Sequence, residues 1–228
     1  HNLGGIDRSV HLFALPEALW PERVEGLRPE PVEGPVEGAH GEGWCYDLGN
    51  AGLILRAGTV DWALINDPRT GIVASSSSSK LTVSRAPALA YHVLQLNAAR
   101  DMFKDQKVRQ AVSCAINRQE VLDTASLGEG EVTSPLTPPF YRADLSKLDC
   151  YKKDAEKSKT LLKDAGSPKV TFKAIVANAE PPTAIAEAQN IQAQLKPFGI
   201  DMQIESLELS VYVARWLAAD FESAVALN

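Results

Sequence analysis

The chain has 228 residues, 45% of them hydrophobic and 23% charged, enough to bury one or two cores of ordinary domain size. Its net charge of −6 argues against a non-specific nucleic-acid partner or an anionic membrane surface, since either wants a basic patch. Three cysteines, Cys45, Cys114 and Cys150, are too few and too scattered for a disulfide framework, and the odd count leaves at least one thiol without an intrachain partner.

The first twenty residues lack the basic start and unbroken apolar stretch of a signal peptide, because His11, Pro16 and Glu17 interrupt them. If the protein is exported, its signal has been removed or lies outside this sequence. No segment approaches the ~18 consecutive apolar residues of a membrane helix. Residues 20–43 repeat Val-Glu-Gly at 24–26, 32–34 and 36–38 between prolines 21, 29, 31 and 35, which prevents a through-running helix and buries little. Residues 1–48 are therefore an unassigned segment, within which residues 20–43 are expected to be irregular and dispensable, a linker or foreign sequence joined to a domain.

From residue 49 the pattern becomes regular. Leu53, Ile54 and Leu55 precede Gly58, a helix stop, and residues 60–65 read as a strand. The serine run 75–79 interrupts the stretch after Pro68. Residues 81–84 and 91–97 are further extended candidates. A short polar crossing with Asp101, Phe103 and Asp105 leads into the helix KVRQAVSCAINRQE, where Asp105 offers an N-cap. Asn117 and Glu120 have the spacing of a second, capping-box start. A proline-bearing loop covers 128–150. Asp154 then opens a helix with Ala155, Leu161, Leu162 and Ala165 on one face, and Gly166 stops it.

Residues 170–176 and 200–207 alternate apolar and polar as half-buried strands do, and residues 183–195 stack Ile185, Ala188, Ile191 and Leu195 along one helical stripe. A helix over 211–218 and a strand from 221 follow. Strand and helix alternate, so the predicted class is α/β.

Five blocks in order carry a family resemblance: LILRAGTVDWALI, LTVSRAPALAYHVLQLNAA, KVRQAVSCAINRQE, DAEKSKTLLKDAG with VTFKAIVAN, and NIQAQLKPFGIDMQIESLELSVYVARWLAADFESAVA. Together they resemble the extracytoplasmic solute-binding proteins of peptide, dipeptide and nickel ABC importers. The resemblance implies a periplasmic-binding-protein-like lobe over residues 49–228, a mixed sheet flanked by helices with hinge strands, and incomplete. It also implies a non-enzymatic function without cofactor or metal. The chain would be the substrate-binding component of an importer, capturing a peptide-like or similar small polar solute and passing it to ABC permease subunits. Its place would be periplasmic or anchored at the cell surface, with no membrane span of its own. Residues 1–48 have no counterpart in the family pattern, nor does the chain show the family's later acidic and aromatic ligand residues. Weak solute binding by this chain alone is the expectation.

Solute capture needs a wall of hydrogen-bonding and apolar groups. Period two puts Tyr91, Val93, Gln95 and Asn97 on one side of their strand and the mostly aliphatic His92, Leu94 and Leu96 on the other. Tyr91, Gln95 and Asn97 are the candidate ligand contacts, with Asn66 on the same rim. The competing reading gives the two amides backbone partners within the fold.

Arg109 suggests an anion clamp or, more simply, a surface or hinge salt bridge. Tyr212 and Trp216, spaced i, i+4, suggest packing, as Trp62 does. The alternative from another class is a small α/β thiol or hydrolase-like enzyme, with Cys114 paired to His92. Against it, Cys114 falls in the apolar phase of its helix, where a small buried hydrophobe is the plainer reading. The four histidines show no zinc spacing, and no C-x-x-C or G-x-S-x-G motif occurs.

Overall fold

Apolar residues on alternate positions of three central strands produce a sheet with two buried faces. A computed structural model describes residues 6–16, 44–45, 62–63, 65, 67–77, 84, 87–132, 149–179 and 181–227. The chain divides into two units, residues 1–15 with 87–228, and residues 16–86.

In the first unit a five-stranded sheet has the order β1-β4-β7-β5-β6, from β1 (Ile6–Pro16), β4 (Pro87–Asn97), β5 (Val170–Ala177), β6 (Ile200–Leu207) and β7 (Ser223–Leu227). Strand β5 runs parallel to β6 and β7, whereas β4 pairs antiparallel with β7. The sheet is mixed, and the fold is the α/β lobe the sequence implied. Strand β1 is an addition: no element was expected within residues 1–48.

One face packs Leu94, Leu96, Phe172, Val176, Ile200, Met202 and Val225 beneath a layer of helices. These are α3 (Gln106–Ala115), α4 (Arg118–Ala125) and α6 (Ala184–Leu195). A four-residue helix α2 (Asp101–Lys104) occupies the polar crossing and buries Phe103, whose ring meets Phe172 edge-on at 5.0 Å. The second face packs Val93, Ile175, Ala224 and Ala226 under Tyr212 of α7 (Leu209–Leu217).

Helix starts follow the local chemistry. Asp105 accepts from the Lys107 amide at 2.8 Å, and Asp154 accepts from Lys157 at 2.9 Å to open α5 (Ala155–Asp164). Asn117 accepts from the Glu120 amide, but the other half of the capping box is replaced. The Asn117 amide itself donates to Gln194 Oε1 at 2.6 Å, fastening α4 to α6. At the end of α5, Gly166 takes the left-handed conformation (φ 85°) and the Ser167 amide closes on the Leu162 carbonyl.

Cys114 is not the lone buried thiol expected from its helical phase. It is disulfide-bonded to Cys150, 36 residues on, with Cα atoms 4.6 Å apart, within the normal span of the bond. Two contacts bring the partners together. The Asp154 amide donates to the Cys114 carbonyl at 2.8 Å, and Ser158 Oγ donates to the Ala111 carbonyl at 2.9 Å, packing α5 on α3. Sequence spacing carries no signal of this pairing.

In the second unit β2 (Trp44–Cys45) pairs parallel with β3 (Trp62–Ala63), the centre of the strand expected at 60–65. Helix α1 (Pro68–Ser77) follows, with the Arg69 amide donating to Asp67 Oδ1 at 3.3 Å. The helix extends into the serine run expected to interrupt this stretch. The expected segments at 53–55 and 20–43 lie outside the described residues.

Closing a loop of 36 residues restricts the unfolded chain by about 3–4 kcal/mol in the loop-entropy account. Urea unfolding of a Cys114→Ser/Cys150→Ser variant is expected to show a loss of that size. A loss below ~1 kcal/mol would mean that the cross-link is not holding the fold.

Candidate functional site

The path of the chain leaves one edge of the sheet open. From β5 it crosses through α6 to β6 on the face carrying Phe172 and Val176. From β6 it returns through α7, over the opposite face, to β7 on the far side of β5. Outside the carboxyl ends of β5 and β6 the chain therefore departs to opposite faces, which is where ligands settle in open α/β sheets.

The register defines this edge. Ala177 pairs with Leu207, Val176 with Val225, and His92 with Leu227. Continued by one or two positions, it sets the row His92, Leu227, Asn178, Glu208 across β4, β7, β5 and β6. Asn178, Ala179 and Glu208 are exposed, and the Asn178 amide donates to the Leu207 carbonyl at 2.9 Å.

Helices α6 and α7 both begin here, so two positive helix ends face the same edge. Glu208 caps α7: its carboxylate accepts from the Ser210 amide at 3.0 Å and from the Ser210 hydroxyl. The hydroxyl first, and then the amide, hold Glu208 below the usual carboxylate range.

The sequence-nominated residues do not gather at this edge. Tyr91 does lie there, one residue from His92, half-buried beside the second-face cluster of Val93 and Tyr212. Asn97 lies six residues along β4, about 20 Å away at ~3.3 Å per residue. Its Nδ2 donates to the carbonyls of Ala219 at 3.1 Å and Phe221 at 2.9 Å, and its Oδ1 accepts from the Ala99 amide. Gln95 is buried between them, its Oε1 accepting from Trp216 Nε1 at 2.6 Å. Both amides thus have partners within the fold. Asn66 lies outside the described residues.

Other nominated side chains have structural partners. Tyr212 donates to the Val225 carbonyl at 2.8 Å, and burial pushes its phenol up. Trp216 lies beside it, so the i, i+4 rings pack on the sheet. Arg109 donates to the carbonyls of Phe103 at 2.6 Å and Lys104 at 3.0 Å, tying down the end of α2. The thiol–imidazole pair is overturned twice. Cys114 is oxidised, and His92 Nδ1 lies 2.6 Å from Glu187 Oε1.

Sequence reasoning missed Glu187, Thr183 and Arg118. Arg118, within the AINR block, donates to the carbonyls of Cys150 at 2.7 Å and Tyr151 at 3.1 Å and to Ser113 Oγ at 2.8 Å. Burial pulls its guanidinium down to about 10, so it stays charged at neutral pH. Polar residues on an apolar helix face, such as Glu187 in AIAEAQNIQAQL, were the available signal. Among the described residues no group of three or more His, Cys, Asp or Glu can hold a metal ion, and no helix is long and apolar enough to cross a membrane.

Residues 47–227 match the family described as bacterial extracellular solute-binding proteins, family 5 middle region. The dipeptide-binding protein of Escherichia coli K12 is 28% identical over 148 residues, covering 63% of this chain and 28% of that protein. The oligopeptide-binding protein AppA of Bacillus subtilis is 27% identical over 176 residues, covering 70% and 32%. Among solved structures, the periplasmic binding protein DppA of Helicobacter pylori in complex with the peptide STSA superposes with a TM-score of 0.68 at 25% identity, covering 79% of this chain and 35% of that one. The chain spans about a third of the length of these relatives.

Asn97→Ala removes the donor to two inward carbonyls and is expected to cost about 2–3 kcal/mol in urea unfolding. Asn97→Asp, which turns an acceptor toward the same carbonyls, is expected to cost more. A change under ~0.5 kcal/mol in both would show that the amide is not engaged.

Proposed function

The chain belongs to the bacterial extracellular solute-binding proteins, family 5, and on that premise we propose that it supplies one wall of the solute-capturing component of an ABC importer. Members of the family are binding proteins and not enzymes. The observation that carries the proposal is the open sheet edge where β5 and β6 end and α6 and α7 begin. Exposed Asn178, the exposed Glu208 carboxylate and the ring of Tyr91 give a hydrogen-bonding and apolar surface there.

The solute is a peptide-like molecule. Support comes from the relatives, named for dipeptides and oligopeptides, and from the peptide in the Helicobacter pylori complex. Permease subunits of the importer are the partners, and the working place is outside the cytoplasm. The Cys114–Cys150 disulfide suits that compartment, because such bonds persist where thiols are not kept reduced. The solute-binding lobe is the stretch from residue 49 onward. Within the wall Tyr91 touches solute, while Gln95 and Asn97 hold the strand in place behind it.

Amide NMR of the protein titrated with trialanine to millimolar concentration tests this. Shifts are expected at Tyr91, Asn178, Ala179 and the start of α7, with little change around Asn97 and residues 219–221. Tyr91→Ala is expected to weaken binding about tenfold, the loss of a ring contact worth ~1.4 kcal/mol. Shifts confined to the Asn97 end, or none, would sink the proposal.

A further inference from the structure

His92 and Glu187 are both fully buried, inside the layer that also holds Leu94, Ala184, Ala188 and Ile191. His92 Nδ1 lies 2.6 Å from Glu187 Oε1, and Thr183, the residue before α6, donates its hydroxyl to the same oxygen. Side chains from β4, from the first turn of α6 and from its cap thus converge on one atom.

Net stability is a poor explanation for this arrangement, because removing two ionisable groups from water costs about as much as their attraction returns. Hydrocarbon of equal volume would serve the core as well or better. A close contact between two buried polar groups ties β4 to α6 at one point instead, since each group offsets its burial only against the other, where aliphatic contacts permit sliding.

The junction also has a particular place. The neighbour of His92 in the strand is Tyr91, and the residue aligned with it across β7 is Asn178. Thr183 ends the segment that runs from Asn178 into α6. The β4 side of the open edge and the segment leaving β5 therefore meet at Glu187.

We propose that His92, Glu187 and Thr183 are positioning residues of the solute site, locking the first turn of α6 to β4 so that the edge is formed before solute arrives. The inference rests on the solute-binding reading for its purpose, but the lock itself is testable without it. Preorganisation of this kind raises affinity by lowering the ordering cost of binding.

The test compares the full chain with His92→Leu/Glu187→Leu, Thr183→Val and Glu187→Gln. It uses hydrogen exchange, urea unfolding and trialanine titration. The Ala184 and Glu187 amides, bonded to the carbonyls of Pro181 and Thr183, report on the turn. Exchange across residues 183–188 is expected to accelerate about tenfold or more in the apolar double variant, while β5 and α3 keep their protection. Trialanine binding is expected to weaken in parallel, and Glu187→Gln, which keeps the shape and an acceptor oxygen, to restore most of both.

Unchanged exchange at 183–188, or acceleration in step with β5 and α3, overturns the proposal. Should the double variant fail to fold, Thr183→Val, lacking one hydroxyl, carries the same comparison. If the unsubstituted protein shows no trialanine shifts, the solute reading fails separately, and the exchange arm alone decides whether the lock exists.

Discussion

The clamp on residues 219–221 is the contact on which the rest of the first unit depends. Asn97 and Arg100, at the end of β4, both donate to the carbonyls of Ala219 and Phe221, more than a hundred residues later in the chain. Arg215 closes the turn from the other side through the Asp220 carbonyl. Ala219 takes a left-handed conformation (φ 53°), which costs a residue with a side chain roughly 1–2 kcal/mol. That conformation belongs to the turn whose carbonyls meet the two donors. Strand β7 starts immediately after it, between β4 and β5. Were its start not held, β4 would lose its partner and the parallel pair would lose its link to the rest of the sheet.

A central β7 requires helices on both faces, because its alternate residues point into different cores. Val225 joins the layer under α6, whereas Ala224 and Ala226 join the one under α7. The small alanines let α7 lie close, with the Tyr212 hydroxyl reaching the β7 backbone. The same division sends the connections from β5 and β6 to opposite sides and so opens the edge between them. Topology, rather than any single reactive side chain, makes this edge.

Polar side chains buried at the far end of α6 tie distant segments together. Gln194 bridges α6 to the Asn117 backbone, accepting from its amide and donating to its carbonyl. Arg118 gathers Cys150 and Tyr151 beside the disulfide, with three acceptors around a cation that burial alone would disfavour. Tyr151 in turn donates to the Val132 carbonyl. On the proposed reading such a frame favours binding, since a wall that holds its shape loses less ordering entropy when a solute arrives.

The local levels of this structure were legible in the sequence. Alternation marked β4, β5 and β6 and separated His92, Leu94 and Leu96 from Tyr91, Val93 and Gln95. Asp105, Asn117 and Asp154 announced their helix starts because capping is settled within three residues. The ordered blocks identified the family for the same reason, each being a short stretch with its own constraint. Partners distant in the chain were not legible. Periodicity says which face of a strand is buried, but not that β7 enters between β4 and β5, nor that β1 lies at the edge. It placed Cys114 in the interior without Cys150, and Glu187 on α6 without His92. Tyr91, Gln95 and Asn97 looked alike as one polar row, yet only the sheet register separates the first from the other two. Those choices depend on which surfaces meet after collapse, and tertiary packing alone decides them.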